Sequence, residues 1–228
     1  MPGKLIAIEG IDGSGKTVQA HLLLERLTKA GRPAETIKFP RRGETFFGRM
    51  VERYLHGEFG GARDVSPYLA AVLYAGDRFE EKGRINQWLE AGKTVIARRY
   101  VDSNKAHQGG KFDDPKQRGH FFDWLEELEY KVLGNPRPHL SLYLDVPAGV
   151  SCELIKKRHK ELPREEARKK DIHEEDVRHL EAAERAYKEL ARSGGWAIIQ
   201  CVKDGKMLHE GEIAEKVWEA VKKTVASS

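Results

Sequence analysis

Apolar positions recur along this chain in two rhythms. Short apolar blocks stand at KLIAIE (4–9), AETIKF (34–39), TVIA (94–97), HLSLYLDV (139–146) and WAIIQC (196–201), and each predicts a short buried strand. Between the blocks the period lengthens to that of a helix. It does so in VQAHLLLERLTKAG, closed by Gly31, in TFFGRMVERYLHGEF, and in PYLAAVLYAGDRFEEKGRINQWLEAG, which starts behind Ser66-Pro67. Further helical stretches span about 116–133, PAGVSCELIKKRHK, HEEDVRHLEAAERAYKELARSG and about 211–224. Strands that alternate with helices predict a parallel sheet covered on both faces. With no internal repeat or linker, residues 1–228 read as a single α/β domain.

Composition narrows this picture in three places. A chain of 228 residues that is 39% hydrophobic can bury one substantial core, and its longest apolar runs fall far short of a bilayer span. The two cysteines, Cys152 and Cys201, have neither metal-ligand spacing nor the density of a disulfide scaffold. Together with a first strand that starts at once, they predict a cytoplasmic protein with buried thiols. The densest charge lies in KKRHKELPREEARKK (156–170), where eight Lys/Arg face three Glu. That stretch reads either as a solvated helix face or as a cationic flap over a polyanion. No nucleic-acid motif or aromatic stacking pattern accompanies it, so nucleic acid is not an expected partner.

The clearest chemistry is Gly10-Ile11-Asp12-Gly13-Ser14-Gly15-Lys16-Thr17, which matches G-x-x-x-x-G-K-[ST] between a strand and a helix. The glycines allow backbone N–H groups to turn towards phosphate oxygens, and the helix N-terminus adds its positive end. In this pattern Lys16 reaches the β- and γ-phosphates and the Thr17 hydroxyl is a magnesium ligand. Nucleoside triphosphate binding is therefore expected at Gly10, Asp12, Gly13, Ser14, Gly15, Lys16 and Thr17. No N-K-x-D sequence occurs, which argues against a GTPase. Arginines recur at strand ends, Arg41 and Arg42 after the second and Arg98 and Arg99 after the third. Ligands of open α/β sheets bind at those ends, and the four guanidiniums predict a second phosphate, that of an acceptor.

IEGIDGSGKT, FPRR (39–42), YAGDR (74–78), RRYVDSNKAHQ (98–108), YLDVP (143–147) and KDIHEED (170–176) together resemble the motifs of the thymidylate kinase family, in its order and over nearly the whole chain. The resemblance implies a three-layer α/β/α P-loop kinase fold with a five-stranded parallel sheet and a helical lid at about 157–172. It also implies a homodimeric, magnesium-dependent enzyme that moves the γ-phosphoryl group of ATP to dTMP. Position by position, Asp12 resembles the loop carboxylate near the acceptor sugar and the metal. Phe39, Pro40 and Arg42 resemble the acceptor pocket and its phosphate-binding arginine. Tyr74 stands where a ring stacks on thymine and Arg78, one turn on, where an arginine reads its edge; core packing is the alternative for Tyr74. Arg99 resembles an arginine that bridges the two phosphates, while Ser103, Asn104 and His107 fall in the segment that contacts base and sugar; a packed helix histidine is the alternative for His107. In the lid, Arg168 resembles a catalytic arginine, and Asp171 and Glu174 resemble acids near the acceptor.

One position departs from the family pattern. Arg98 stands where an aspartate is expected. A general base is not what that aspartate would supply, because a phosphate monoester with a second pKa near 6 is mostly dianionic at pH 7. Its loss instead removes a negative partner for magnesium. Asp12, Glu9 and Asp145 are the acids that could compensate, with Arg98 turned away to an acid such as Asp102. Rival readings are a kinase of dUMP, UMP or CMP, a catalytically silent nucleotide-binding homologue, and a nucleic-acid-stimulated ATPase.

Overall fold

The structure, a computed structural model, describes residues 2–161 and 177–226. Its centre is a five-stranded parallel sheet of β1 (Lys4–Glu9), β2 (Ala34–Lys38), β3 (Thr94–Arg98), β4 (Leu140–Asp145) and β5 (Ala197–Gln200), in the order β2-β3-β1-β4-β5. Because β1 lies between β3 and β4, the loop after it opens at the middle of the sheet, where the strand order reverses. The register pairs Ile8 with Arg98, which brings the end of β3 beside the start of that loop.

Alternate strand residues divide between two cores, as side chains of period two must. Ile6, Ile8, Ile96, Leu142 and Leu144 face α1 (Lys16–Lys29) and the C-terminal helix, α8 (Glu210–Ala226). That face is completed by Ala20, Leu23 and Leu27 of α1 and by the Val217/Val221/Val225 stripe of α8. On the other face, Leu5, Ala7, Val95 and Ala97 pack with Ala71 and Ile85 of α3 (Pro67–Glu90) and Phe121 and Leu125 of α5 (Pro115–Glu126). Each fully buried aliphatic side chain contributes roughly 1.5–3 kcal/mol of transfer free energy, so the two faces together fix the layering. The three-layer architecture expected from the alternation is the one observed.

Three elements differ from expectation. A separate helix, α4 (Val101–Gly109), follows β3, and every one of its residues is buried. It lies against α3, α5 and α7 (Val177–Ser193), so it has no solvent face and carries no amphipathic rhythm to read. The helix expected over about 116–133 is α5, running into a π-helical turn at Glu127–Val132. After β5 comes a hairpin of β6 (Val202–Lys203) and β7 (Lys206–Met207). Its turn is Asp204-Gly205, with φ of 50° and 74°, the left-handed pair that a tight hairpin demands. Two more helices complete the chain, α2 (Phe46–Leu55) and α6 (Ala148–Glu161). Of the expected lid only its first residues, at the end of α6, are described; Arg168, Asp171 and Glu174 lie outside the described residues.

Candidate active site

The phosphate loop is set by its glycines. Gly10, Gly13 and Gly15 have φ of 141°, 75° and 86°. At Gly10 an added Cβ would stand 2.7 Å from Ser14 Oγ and 3.0 Å from the Leu144 carbonyl, so the position excludes a side chain as well as requiring the conformation. Gly15 caps α1, whose first residues are Lys16 and Thr17. Lys16 Nζ donates to the carbonyls of Gly10 (3.0 Å) and Ile11 (2.6 Å) and to Ser14 Oγ (3.2 Å), which fastens the ammonium over the loop.

Arg99 joins this loop to a second cavity. Its backbone is left-handed, φ 63°, an uncommon state for a side chain of this size, and its N–H is held by the Ile8 carbonyl at 3.0 Å. From there the guanidinium pairs with the Asp12 carboxylate and reaches the Gly10 carbonyl (3.3 Å), Ser103 Oγ (3.4 Å) and His107 Nε2 (2.9 Å). Burial alone would raise the Asp12 pKa; the Arg99 and Lys16 charges override it and hold the carboxyl far below the usual carboxylate range. Burial would likewise lower the Arg99 pKa, and Asp12 more than reverses it. His107 stacks on His179 at 5.3 Å between ring centroids and shares a 3.1 Å hydrogen bond with it. Burial, reinforced by the Arg99 charge, pushes His107 well below the ordinary imidazole value, so it is neutral at pH 7.

The second cavity is a pocket bounded by Phe39, Pro40, Arg42, Tyr74, Arg78, Ser103, Asn104 and His107, and by Asp12 and Arg99. It therefore brings together the expected acceptor residues that lie within the described chain. Tyr74 meets Tyr54 edge-to-face at 6.3 Å, which holds its ring upright. Asn104 Nδ2 donates to the Ala71 carbonyl at 3.0 Å, while its Oδ1 is buried without a hydrogen-bond partner among the described residues.

Sequence reasoning missed three contributors and gave a fourth, Glu9, a different role. Gln108 lines the pocket, is fully buried, and leaves both amide atoms without a partner among the described residues. The signal was available, since Gln108 follows Asn104 by four positions on one helix face. Glu129 accepts Arg78 Nε at 3.0 Å and also pairs with Nη2, and both side chains are almost wholly buried. The π-helical turn presents Glu129, which a regular helical period does not anticipate. Asp77 accepts from the Arg41 backbone N–H at 2.8 Å and from the Thr45 hydroxyl, so it anchors the loop that carries Arg42. Glu9, at the tip of β1, accepts from Tyr100 N (2.8 Å), Ser103 Oγ and Tyr187 OH (3.3 Å), bracing the junction of β3 and α4.

Several expectations need correction. Arg41 does not join the phosphate-facing arginines: its guanidinium pairs with Glu44 and, at 3.5 Å, with Glu81. Arg98 does not turn to Asp102, which is buried and engaged by Ser141 Oγ (3.1 Å) and Lys105 Nζ (3.5 Å). Instead Arg98 Nη1 donates to Thr17 Oγ1 at 3.2 Å. Glu9 is fully buried and committed to the junction just described, and burial raises its pKa. Asp145 accepts from Gln200 Nε2 at 3.0 Å and stands 3.9 Å from Lys188 Nζ.

These engagements limit how the protein itself could hold magnesium. The triphosphate cleft is lined by two carboxylate residues, Asp12 and Glu210, with Asp12 already paired to Arg99. Thr17, the expected metal-ligating hydroxyl, accepts from a guanidinium. Among the described residues no cluster of three His, Cys, Asp or Glu side chains could hold a metal ion. The donor set does not fit a divalent cation held by protein carboxylates.

A phosphate loop at the centre of a parallel sheet, joined by an arginine to a second pocket, defines a P-loop phosphotransferase with separate donor and acceptor sites. A sequence profile of thymidylate kinase matches residues 8–210. Among relatives, the thymidylate kinase of Mycobacterium tuberculosis is 33% identical over 198 residues, covering 86% of this chain and 90% of that protein. A probable thymidylate kinase of Pyrococcus abyssi is 37% identical over 160 residues, 69% of this chain and 72% of its own. The solved structure of thymidylate kinase from Candida albicans superposes with a TM-score of 0.70 at 25% identity, covering 98% of this chain and 92% of that one. The chain belongs to the thymidylate kinase family.

Proposed function

We propose that this chain transfers the γ-phosphoryl group of ATP to dTMP, giving ADP and dTDP. One observation carries the reading: the phosphate-loop cleft and the base pocket share Asp12, Phe39, Pro40, Arg42 and Arg99 along their common boundary. Two phosphates bound on either side would meet at the two arginines. The acceptor phosphate is mostly dianionic at pH 7 and attacks without a general base, so the chemistry asks for positioning and charge neutralisation. Lys16 and Arg99 supply charge at the transferring group, Arg42 holds the acceptor phosphate, and Tyr74 stacks on the base. Arg78, Asn104 and Gln108 offer the polar atoms that read its edge. Asp12 acts through Arg99, fixing the guanidinium between the two phosphates. Arg168, Asp171 and Glu174 are assigned to the lid side of the same site. Magnesium enters bound to the nucleotide phosphates.

The same reading extends to a cytoplasmic enzyme of one domain that pairs with a second copy of itself. Leu69, Val72 and Phe79 stand exposed along α3, an apolar row suited to such a contact. Light scattering of the purified chain measures the oligomer. The activity is tested by ADP release from ATP and magnesium with dTMP, dUMP, UMP, CMP or no acceptor. Turnover that is fastest with dTMP and absent without an acceptor is expected. Preference for another monophosphate, or acceptor-independent hydrolysis, would overturn the assignment.

A further inference from the structure

The residue at the end of β3 faces the phosphate loop, and there this chain carries a cation. Arg98 is paired in register with Ile8, two residues before the loop begins, and its Nη1 lies 3.2 Å from Thr17 Oγ1. Among the described residues the guanidinium has no acidic partner, and its hydrogen bond to Thr17 uses a single one of its five donors. It lines the triphosphate cleft together with Lys16, Lys38, Arg42 and Arg99, so five cationic residues face two acidic ones there.

Two consequences follow from charge alone. A divalent cation bound to Thr17 Oγ1 at about 2.1 Å would lie no more than about 5.3 Å from Arg98 Nη1, close enough for strong like-charge repulsion. A phosphate oxygen in that space would meet a planar, permanently charged donor suited to bidentate contact. An acidic residue at the same position would reverse both preferences.

We propose that Arg98 is a phosphate-contacting residue that binds the donor triphosphate directly, so that this chain retains its nucleotide when the divalent cation is removed. The proposal rests on the reading of the phosphate loop as the ATP site. Direct contact also gives Arg98 a place in specificity for the donor: a triphosphate offers it a phosphate beyond those that the loop itself encloses, and a monophosphate does not.

The test is calorimetric titration of the full chain with the β,γ-imido analogue of ATP, in excess magnesium and again in excess EDTA. Wild type, Arg98→Ala and Arg98→Asp are compared, with circular dichroism and thermal melting confirming that each is folded. Wild-type affinity is expected to fall less than about threefold on metal removal, whereas Arg98→Asp falls more than about tenfold. Arg98→Ala is expected to bind the metal-free analogue at least about tenfold more weakly than wild type. Should Arg98→Asp not fold, the comparison of Arg98→Ala with wild type decides. A wild type as metal-dependent as Arg98→Asp, or an Arg98→Ala variant that matches wild type in EDTA, would overturn the proposal while leaving the kinase assignment in place. Absence of analogue binding under both conditions would overturn both.

Discussion

Glu129 sits outside the substrate pocket, yet removing it should damage both stability and acceptor binding. Its carboxylate takes the Arg78 Nε and Nη2 donors and also Asn135 Nδ2 at 2.8 Å, and the side chains of Arg78 and Glu129 are 2% and 0% exposed. Truncation in Glu129→Ala would strand a guanidinium in a dry interior, where losing one partner of a buried pair costs about 3–5 kcal/mol. For a chain of this size that is a fall in melting temperature of roughly 10 °C. Glu129→Gln keeps an acceptor and a similar volume but not the charge, so about half that cost is expected. Both variants also loosen Arg78, which lines the pocket and is otherwise held by a 3.4 Å contact from Nη1 to the Tyr100 carbonyl and by the Tyr100 ring, 5.9 Å from its guanidinium carbon. The dTMP KM should rise about tenfold or more, while the ATP KM stays near wild type. Urea unfolding and steady-state kinetics with each substrate varied separately give the two readouts. If both variants cost less than about 1 kcal/mol and leave the dTMP KM unchanged, the argument that Glu129 positions Arg78 is wrong.

Other substitutions probe the rest of the site. Lys16→Met should lower kcat by about 100- to 1,000-fold with little change in melting temperature, because the ammonium sits over the loop rather than in the core; a variant within tenfold of wild type would remove Lys16 from the charge-neutralising role. Gln108→Ala deletes two buried amide atoms that have no partner among the described residues, so dTMP affinity should fall about tenfold while the enzyme becomes no less stable; a loss of stability with unchanged affinity would make Gln108 a packing residue instead. Lys111 gives a pH-dependent prediction. Burial lowers its pKa from 10.5 to about 8, despite a 2.9 Å hydrogen bond to Tyr54 OH. Between those values the unfolded chain holds a proton that the folded chain lacks, so stability rises with pH there. The unfolding free energy of wild type minus that of Lys111→Met should therefore increase by about 2 kcal/mol from pH 7.5 to pH 10, and a flat difference would show that Lys111 titrates normally.

Local pattern was enough for much of this molecule. The strand and helix rhythms determined the layered α/β architecture, and GIDGSGKT announced the phosphate loop, because both signals lie within a few consecutive residues. Family motifs then marked Arg42, Tyr74, Arg78, Arg99, Asn104 and His107, which do gather around one pocket. The tertiary structure decided matters of partnership. A helix buried on every side, α4, carries no amphipathic period, so its place at the centre of the site could not be read from hydropathy. Glu129 and Arg78 are 51 positions apart and meet only because a π-helical turn packs against α3, just as Glu9 and Tyr187 meet across 178 positions. The fate of Arg98 shows the limit most clearly: the sequence revealed a cation in place of an acid, but both orientations were open to a long flexible side chain. Three-dimensional packing closed one of them by burying Asp102 against Lys105 and Ser141, and it left the guanidinium on Thr17 at the mouth of the phosphate loop.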